Sequence, residues 1–130
     1  MALLDIQGLK THFKTDDGWL HAVDGVDIAI EAGQTVCVVG ESGCGKSTLG
    51  RALIRLIEPV GGQVLWDGQD MASMSAEDLR RRRSEFQIIF QDPFASLNPR
   101  MRVPEILDEG LAALQPHTTP DERRSRIERI

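Results

Sequence analysis

An α/β fold is predicted, in which antiparallel strands at the N-terminus lead into part of a parallel core sheet, and three features of the sequence predict it. Thr35 to Val39 is apolar at nearly every position, as a strand covered on both faces must be, and it runs straight into a glycine-rich loop and a helical pattern. Ahead of it Val26, Ile28 and Ile30 alternate with Asp27 and Ala29, the pattern of a strand with one wet face. After a helical insert a second short apolar run, Phe86 to Phe90, reads as another buried strand.

The elements follow in order. The early segment LLDIQGLKTHF is available as an antiparallel partner for VDIAI, which the turn EAGQ closes. Beyond the glycine loop Leu49, Leu53, Ile54, Leu56 and Ile57 recur at helical spacing, and EPVGG stops that helix. QVLWDG gives a short strand and a turn, and Ser75 with Asp78 three places on forms a capping pair for the helix carrying EDLRRRRS. The strand FQIIF ends at Gln91, and DPFASLNPRM, with two prolines and the chain's one asparagine, reads as an irregular exposed loop. Pro104 suits the first turn of a helix running to about Gln115. Thr119, Pro120 and Glu122 supply cap, first-turn proline and box partner for a last helix expected to be still running at Ile130.

Composition bounds what such a fold can do. With 130 residues, 41% of them hydrophobic and 27% charged, the chain fits one soluble globular domain. A net charge of -5 exerts no general pull on nucleic acid or anionic lipid, so any anion site must be local. The longest apolar runs are too short to span a bilayer and MALLDIQGLK lacks the pattern of a leader, which makes the chain read as cytoplasmic. Cys37 and Cys44 stand seven apart, which is neither zinc-ligand spacing nor a secreted disulfide framework, and are expected to be reduced, space-filling thiols.

The loop carries the chemistry. Gly40, Gly45, Lys46 and Ser47 fit G-x-x-x-x-G-K-[ST], between a strand and a helix as that pattern requires. Glycines at 40, 43 and 45 let successive N–H groups turn inward into a nest, and the helix opening at Lys46 adds its positive end. Glu41, Ser42 and Cys44 complete the stretch, so residues 40–48 as a whole are the expected nucleotide contact. Lys46 can reach the β and γ phosphates, the Ser47 hydroxyl can ligate magnesium and Thr48 can serve the α phosphate.

Several reactions share this loop. A GTPase would need an Asn-Lys-x-Asp base reader, but Asn98 is followed by proline. Arg80 to Arg83 could be offered as the lid of a nucleotide kinase, yet four adjacent arginines on a helix point in all directions and read more simply as a solvated face.

The full loop GESGCGKST, the two half-wet strands before it and the delivery of glutamine in IIFQDP together resemble the ATP-binding subunit of ABC transporters, along Leu3 to Ile130. The resemblance implies an ABC-type ATP-binding domain of the P-loop NTPase class, with ATP and Mg2+ as ligands. It makes GESGCGKS the Walker A loop with Lys46 catalytic, and puts Gln91 at the head of the Q-loop, touching magnesium and the attacking water. TDDGWLHAVDGV and QDPFASLNPRM are similar to the oligopeptide and dipeptide importer branch, whose members include nickel and glutathione importers. Adenine in this family rests on an aromatic ring from the early strands; Phe13 is the first choice here and Trp19 the second. Phe94 and Leu97 fall where the family meets a short helix of the membrane subunit, and are expected to form a docking patch.

The same resemblance implies transmembrane permease subunits and a second ATP-binding subunit as partners, a solute-binding protein acting indirectly, no nucleic acid, and a position on the inner face of the cell membrane. The LSGGQ signature, the Walker B segment and the switch histidine are not in the sequence. EILDEG offers Asp108 and Glu109, but Pro104 ahead of them does not suit a central strand. Residues 1–130 are therefore expected to be a partial ABC ATP-binding domain, the N-terminal part of a longer subunit that binds ATP without full catalytic machinery. A non-transport ABC ATPase acting in repair or translation, and a bare nucleotide-binding module, stay open as alternatives.

Overall fold

The computed structural model describes residues 1–130. They divide into two compact units, Met1–Leu79 and Arg80–Ile130. The first contains β1 (Leu4–Thr15), β2 (Gly18–Ile30), α1 (Lys46–Leu53), β3 (Gly61–Trp66) and β4 (Gln69–Asp70), and the division falls within α2 (Ala76–Arg82). The second holds α3 (Val103–Leu114) and α4 (Pro120–Ile127).

The first unit is a four-stranded antiparallel sheet in the order β2-β1-β3-β4, with α1 packed on β1 and β2. Ile6, Leu9, Val23, Val64 and Met71 from the sheet side and Leu49 and Ala52 from α1 form its buried core. Leu49 and Ala52 are three apart, one helical step along a single face, which is how so short a helix buries two side chains against a sheet.

The long hairpin of β1 and β2 is interrupted by bulges, and these decide which way its side chains point. Pairing passes from Thr11↔Val23 to His12↔His21, which leaves Ala22 as an extra residue on β2. Near the middle Gly8 has φ 55 and gives its N–H to Asp27 Oδ1 at 2.6 Å. Gly62 of β3, at φ 82, presses on that bulge so closely that a Cβ would lie 2.4 Å from the Gly8 carbonyl oxygen.

Helix α1 stops at Leu53, earlier than the Leu56/Ile57 pattern predicts. The Leu56 N–H donates to the Arg51 carbonyl and the Arg55 N–H to the Ala52 carbonyl, the paired bonds of a Schellman ending. Arg55 takes the left-handed position that glycine usually fills, at φ 54. Its guanidinium Nη1 donates to the Met71 and Met74 carbonyls at 3.1 and 3.0 Å, which offsets the backbone strain with bonds a glycine could not make.

The capping signals behave as the sequence predicts. The Asp78 N–H donates to Ser75 Oγ at 3.1 Å ahead of α2. At α4 the Glu122 N–H donates to Thr119 Oγ1 and the Thr119 N–H to Glu122 Oε2, the two halves of a capping box. Helix α4 ends at Ile127, with Glu128 as its cap, rather than continuing to Ile130. Within the second unit Arg123 ties the two helices together, donating from Nε to Asp108 Oδ1 at 2.6 Å and from Nη1 to the Thr118 carbonyl at 2.9 Å.

Two expected strands differ. Neither 35–39 nor 86–91 forms a β-strand, and Val36, Val38, Val39 and Ile89 are exposed rather than in the core, Val39 at 84% and Ile89 at 96%. Both segments have the apolar run that a doubly covered strand needs. A strand also needs a neighbour whose N–H and C=O groups face its own, and the ladders of this chain are all taken by β1 to β4. Cys37 and Cys44 are free, as expected, but exposed, so they fill no interior space.

Candidate functional site

Residues 40–48 curl into a loop at the head of α1. The Cys44 N–H donates to the Glu41 carbonyl at 3.2 Å, closing a turn, and Gly43 and Gly45 have φ 80 and 82, a conformation other residues enter only with strain. Gly45 is the N-cap of α1, and no side chain caps the helix. The first intrahelical bond is from the Leu49 N–H to the Gly45 carbonyl, so the first-turn amides ahead of it point out of the helix with no intrahelical acceptor. Helix N-termini in this condition attract anions through both the free donors and the dipole.

The Lys46 ammonium arches back over the loop. Its Nζ donates to the carbonyl of Gly40 at 3.0 Å and that of Glu41 at 3.2 Å, and lies 4.0 Å from Cys44 Sγ. An ammonium carries three donors, so this posture holds the positive charge at the loop's mouth on contacts that a polyphosphate oxygen can replace. Gly40 and Cys44 meet closely, since a Cβ at 40 would fall 2.5 Å from Cys44 Sγ.

The hairpin forms one wall. Ala22, the bulged residue of β2, puts its carbonyl so close to Gly45 that a Cβ there would lie 2.1 Å from the oxygen. Between β2 and the loop lies a cleft of about 350 Å³, with Val26, Val38 and Val39 on its apolar side and Asp24 and Lys46 as its charged groups. Sequence reasoning missed Ala22, because an alanine becomes a wall only through a bulge, and a one-residue register change leaves no mark in residue type.

The remaining expected residues stand as follows. Ser47 is exposed in the first turn of α1, and Thr48 beside it is half-buried. Phe13 is paired with Leu20 across the hairpin and 37% exposed, and Trp19 is paired with Lys14 and 65% exposed. Gln91 is exposed and belongs to the second unit, as does the loop after it, in which Asp92 Oδ1 accepts the N–H groups of Phe94 and Ala95. That turn leaves Phe94 89% and Leu97 52% exposed. Asp108 lies within helix α3 and is taken by Arg123. No helix is long and apolar enough to cross a membrane.

Comparison with known proteins adds names to this geometry. The profile of the ABC transporter family matches residues 23–130. The chain is 46% identical over 134 aligned positions to the oligopeptide transport ATP-binding protein OppF of Salmonella typhimurium, covering 96% of this chain and 40% of that protein. It is 52% identical over 109 residues to a Brucella ovis protein named for peptide import and ATP binding, covering 84% of this chain and 34% of the relative. The chain thus spans well under half the length of these curated relatives. Among solved structures it superposes on the dimeric ABC transporter cassette MJ0796 with a TM-score of 0.77 at 25% identity, covering 95% of this chain and 53% of that one. It superposes on cbiO1 of Clostridium perfringens, part of the ABC transporter complex cbiONQ, with a TM-score of 0.72 at 26% identity, covering 98% and 48%.

Proposed function

Because this chain belongs to the ABC transporter family, whose profile takes in residues 23–130, we propose that it is the nucleotide-holding part of an importer ATPase that couples ATP hydrolysis to uptake of peptides or similar small solutes. The observation that carries the reading is the posture of Lys46, an ammonium held on the carbonyls of Gly40 and Glu41 above an uncapped helix N-terminus. The names of the OppF and Brucella relatives support peptides as the solute class.

In this reading residues 1–130 are a partial ABC ATP-binding domain. The amides of residues 40–48, from Glu41, Ser42, Gly43 and Cys44 to Thr48, wrap the phosphates, and Lys46 stabilises charge on the transferring phosphoryl group. Ser47, exposed in the first turn of α1, offers its hydroxyl to Mg2+, and Gln91 keeps the magnesium-contacting role that the family resemblance implies. The ion would supply positive charge against the negative charge that develops on the phosphates. Phe13 supplies a face for adenine, and Gln91 orients water.

Phe94 and Leu97 are the contact with a transmembrane permease subunit, and a second ATP-binding subunit completes the assembly at the inner face of the membrane. Large apolar side chains this exposed on a turn fixed by Asp92 fit a partner's apolar groove. Phe94→Glu is expected to leave nucleotide binding intact and to abolish assembly with the permease subunit; assembly that survives the charge removes the docking role.

The nucleotide reading is tested by a thermal shift. Mg-ATP at one hundred times its dissociation constant should stabilise the chain by about 2.7 kcal/mol, and Lys46→Ala should lose the effect. A chain whose melting is indifferent to Mg-ATP, or a Lys46→Ala variant that responds like the parent, contradicts it.

A further inference from the structure

The hairpin gathers a second set of polar groups that the nucleotide reading does not use. His12 and His21 face each other across β1 and β2, their ring centroids 3.8 Å apart and their planes within 9°. Residues 21 and 24 of an unbroken strand would point to opposite faces. The extra residue at Ala22 removes that alternation, and Asp24 turns to the side of the two imidazoles.

Its carboxylate then lies with Oδ1 3.6 Å from His12 Nε2 and Oδ2 3.8 Å from His21 Nδ1. Neither separation is a hydrogen bond, which would need about 2.7 to 3.2 Å. Both are close to the roughly 3.3 Å that separates two atoms bound to one tetrahedral ion at about 2.0 to 2.1 Å. One ligand atom from each of the three residues fits within a span of 4.8 Å. His12 Nε2 is moreover a buried nitrogen with no hydrogen-bond partner, a state that costs free energy unless something outside the protein satisfies it.

We propose that His12, His21 and Asp24 form a binding site for a divalent transition-metal ion, separate from the magnesium of the nucleotide. Two imidazoles and one carboxylate suit Zn2+ and its neighbours Co2+, Ni2+ and Cu2+, and suit poorly the oxygen-seeking Mg2+ and Ca2+. The carboxylate supplies one negative charge, and the half-exposed side chains of His21 and Asp24, 52% and 56% accessible, leave room for water as a further ligand. Imidazole lone pairs lie in the ring plane, so two stacked rings cannot both aim at one ion. His21 has the freedom to turn about its Cβ–Cγ bond, while His12, 19% accessible, stays fixed as the anchor. The ion would staple the two strands beside the bulge that walls the phosphate loop.

Titration of the 130-residue chain with Zn2+ and Co2+ tests this, followed by calorimetry and by the visible absorption of Co2+. The background carries Cys37→Ser, Cys44→Ser and His117→Ala, which removes the thiols and the one other histidine. One equivalent of metal is expected to bind, with Co2+ bands of nitrogen and oxygen ligation. Asp24→Asn should weaken it at least tenfold and His21→Ala at least as much, with unchanged tryptophan fluorescence as the check on folding. His12→Ala is the harsher variant, and His21→Ala at its exposed position carries the test should His12→Ala not fold. No saturable binding below millimolar metal, or binding indifferent to His21→Ala and Asp24→Asn, overturns the site.

Discussion

Adding one methyl group at Gly45 tests how the hairpin and the glycine loop depend on each other. A Cβ at 45 would lie 2.1 Å from the Ala22 carbonyl oxygen, more than an ångström inside the 3.4 Å at which ordinary contact begins. Backbone meets backbone there, so no side-chain rotation relieves the overlap. Gly43 offers the control, since it shares the left-handed backbone at φ 80 but has nothing within 4 Å of a Cβ. Gly43→Ala is therefore expected to cost only the conformational strain, about 1 to 2 kcal/mol. Gly45→Ala adds the overpacking, about 1 to 3 kcal/mol more, as the loop or β2 is pushed away.

Urea unfolding followed by tryptophan fluorescence measures this cleanly, because both tryptophans of the chain, Trp19 and Trp66, lie in the first unit with the loop. With a slope of about 1 to 3 kcal/mol per molar urea, the Gly45→Ala midpoint should fall below that of Gly43→Ala by on the order of 1 M. Equal midpoints would refute the claim that Ala22 is a wall of the site, and would mean that strain alone accounts for the glycine at 45.

Two further outcomes follow from the geometry. Phe13→Ala should weaken ATP binding by about 5- to 150-fold, the equivalent of about 1 to 3 kcal/mol of stacking, with little change for triphosphate lacking a base; calorimetry with both ligands decides it. Thr119→Ala removes the acceptor of the Glu122 N–H and should cost the second unit about 1 kcal/mol, read as lost far-ultraviolet helicity on warming, whereas Thr119→Ser should restore it.

What could be read from residue order is what local chemistry decides. The curled loop at the head of α1 follows from glycine spacing, and the cap at Ser75 and the capping box at Thr119 follow from one acceptor and one acid three residues on. The antiparallel hairpin also follows, because alternation at Val26, Ile28 and Ile30 demands a sheet with one covered face. Pairing is different in kind. Val36 to Val39 and Ile89 have the composition of core strands, but composition states a demand for neighbours and cannot supply them. The end of α1 escaped for a related reason: its Leu56 and Ile57 keep helical spacing, while Arg55 leaves the helix through bonds to Met71 and Met74, contacts that are remote in sequence. The juxtaposition of His12, His21 and Asp24 likewise depends on the bulge at Ala22, which only the register reveals.

The central claim is that main-chain amides of residues 40–48, with the ammonium of Lys46, form the seat of a polyphosphate. Backbone amide resonances followed by NMR during titration with Mg-ATP test it most directly. The account predicts the largest shifts at residues 43–48, saturating together, with Lys46→Ala losing them. Shifts confined to residues outside the loop, or a Lys46→Ala variant that titrates as the parent does, would contradict it.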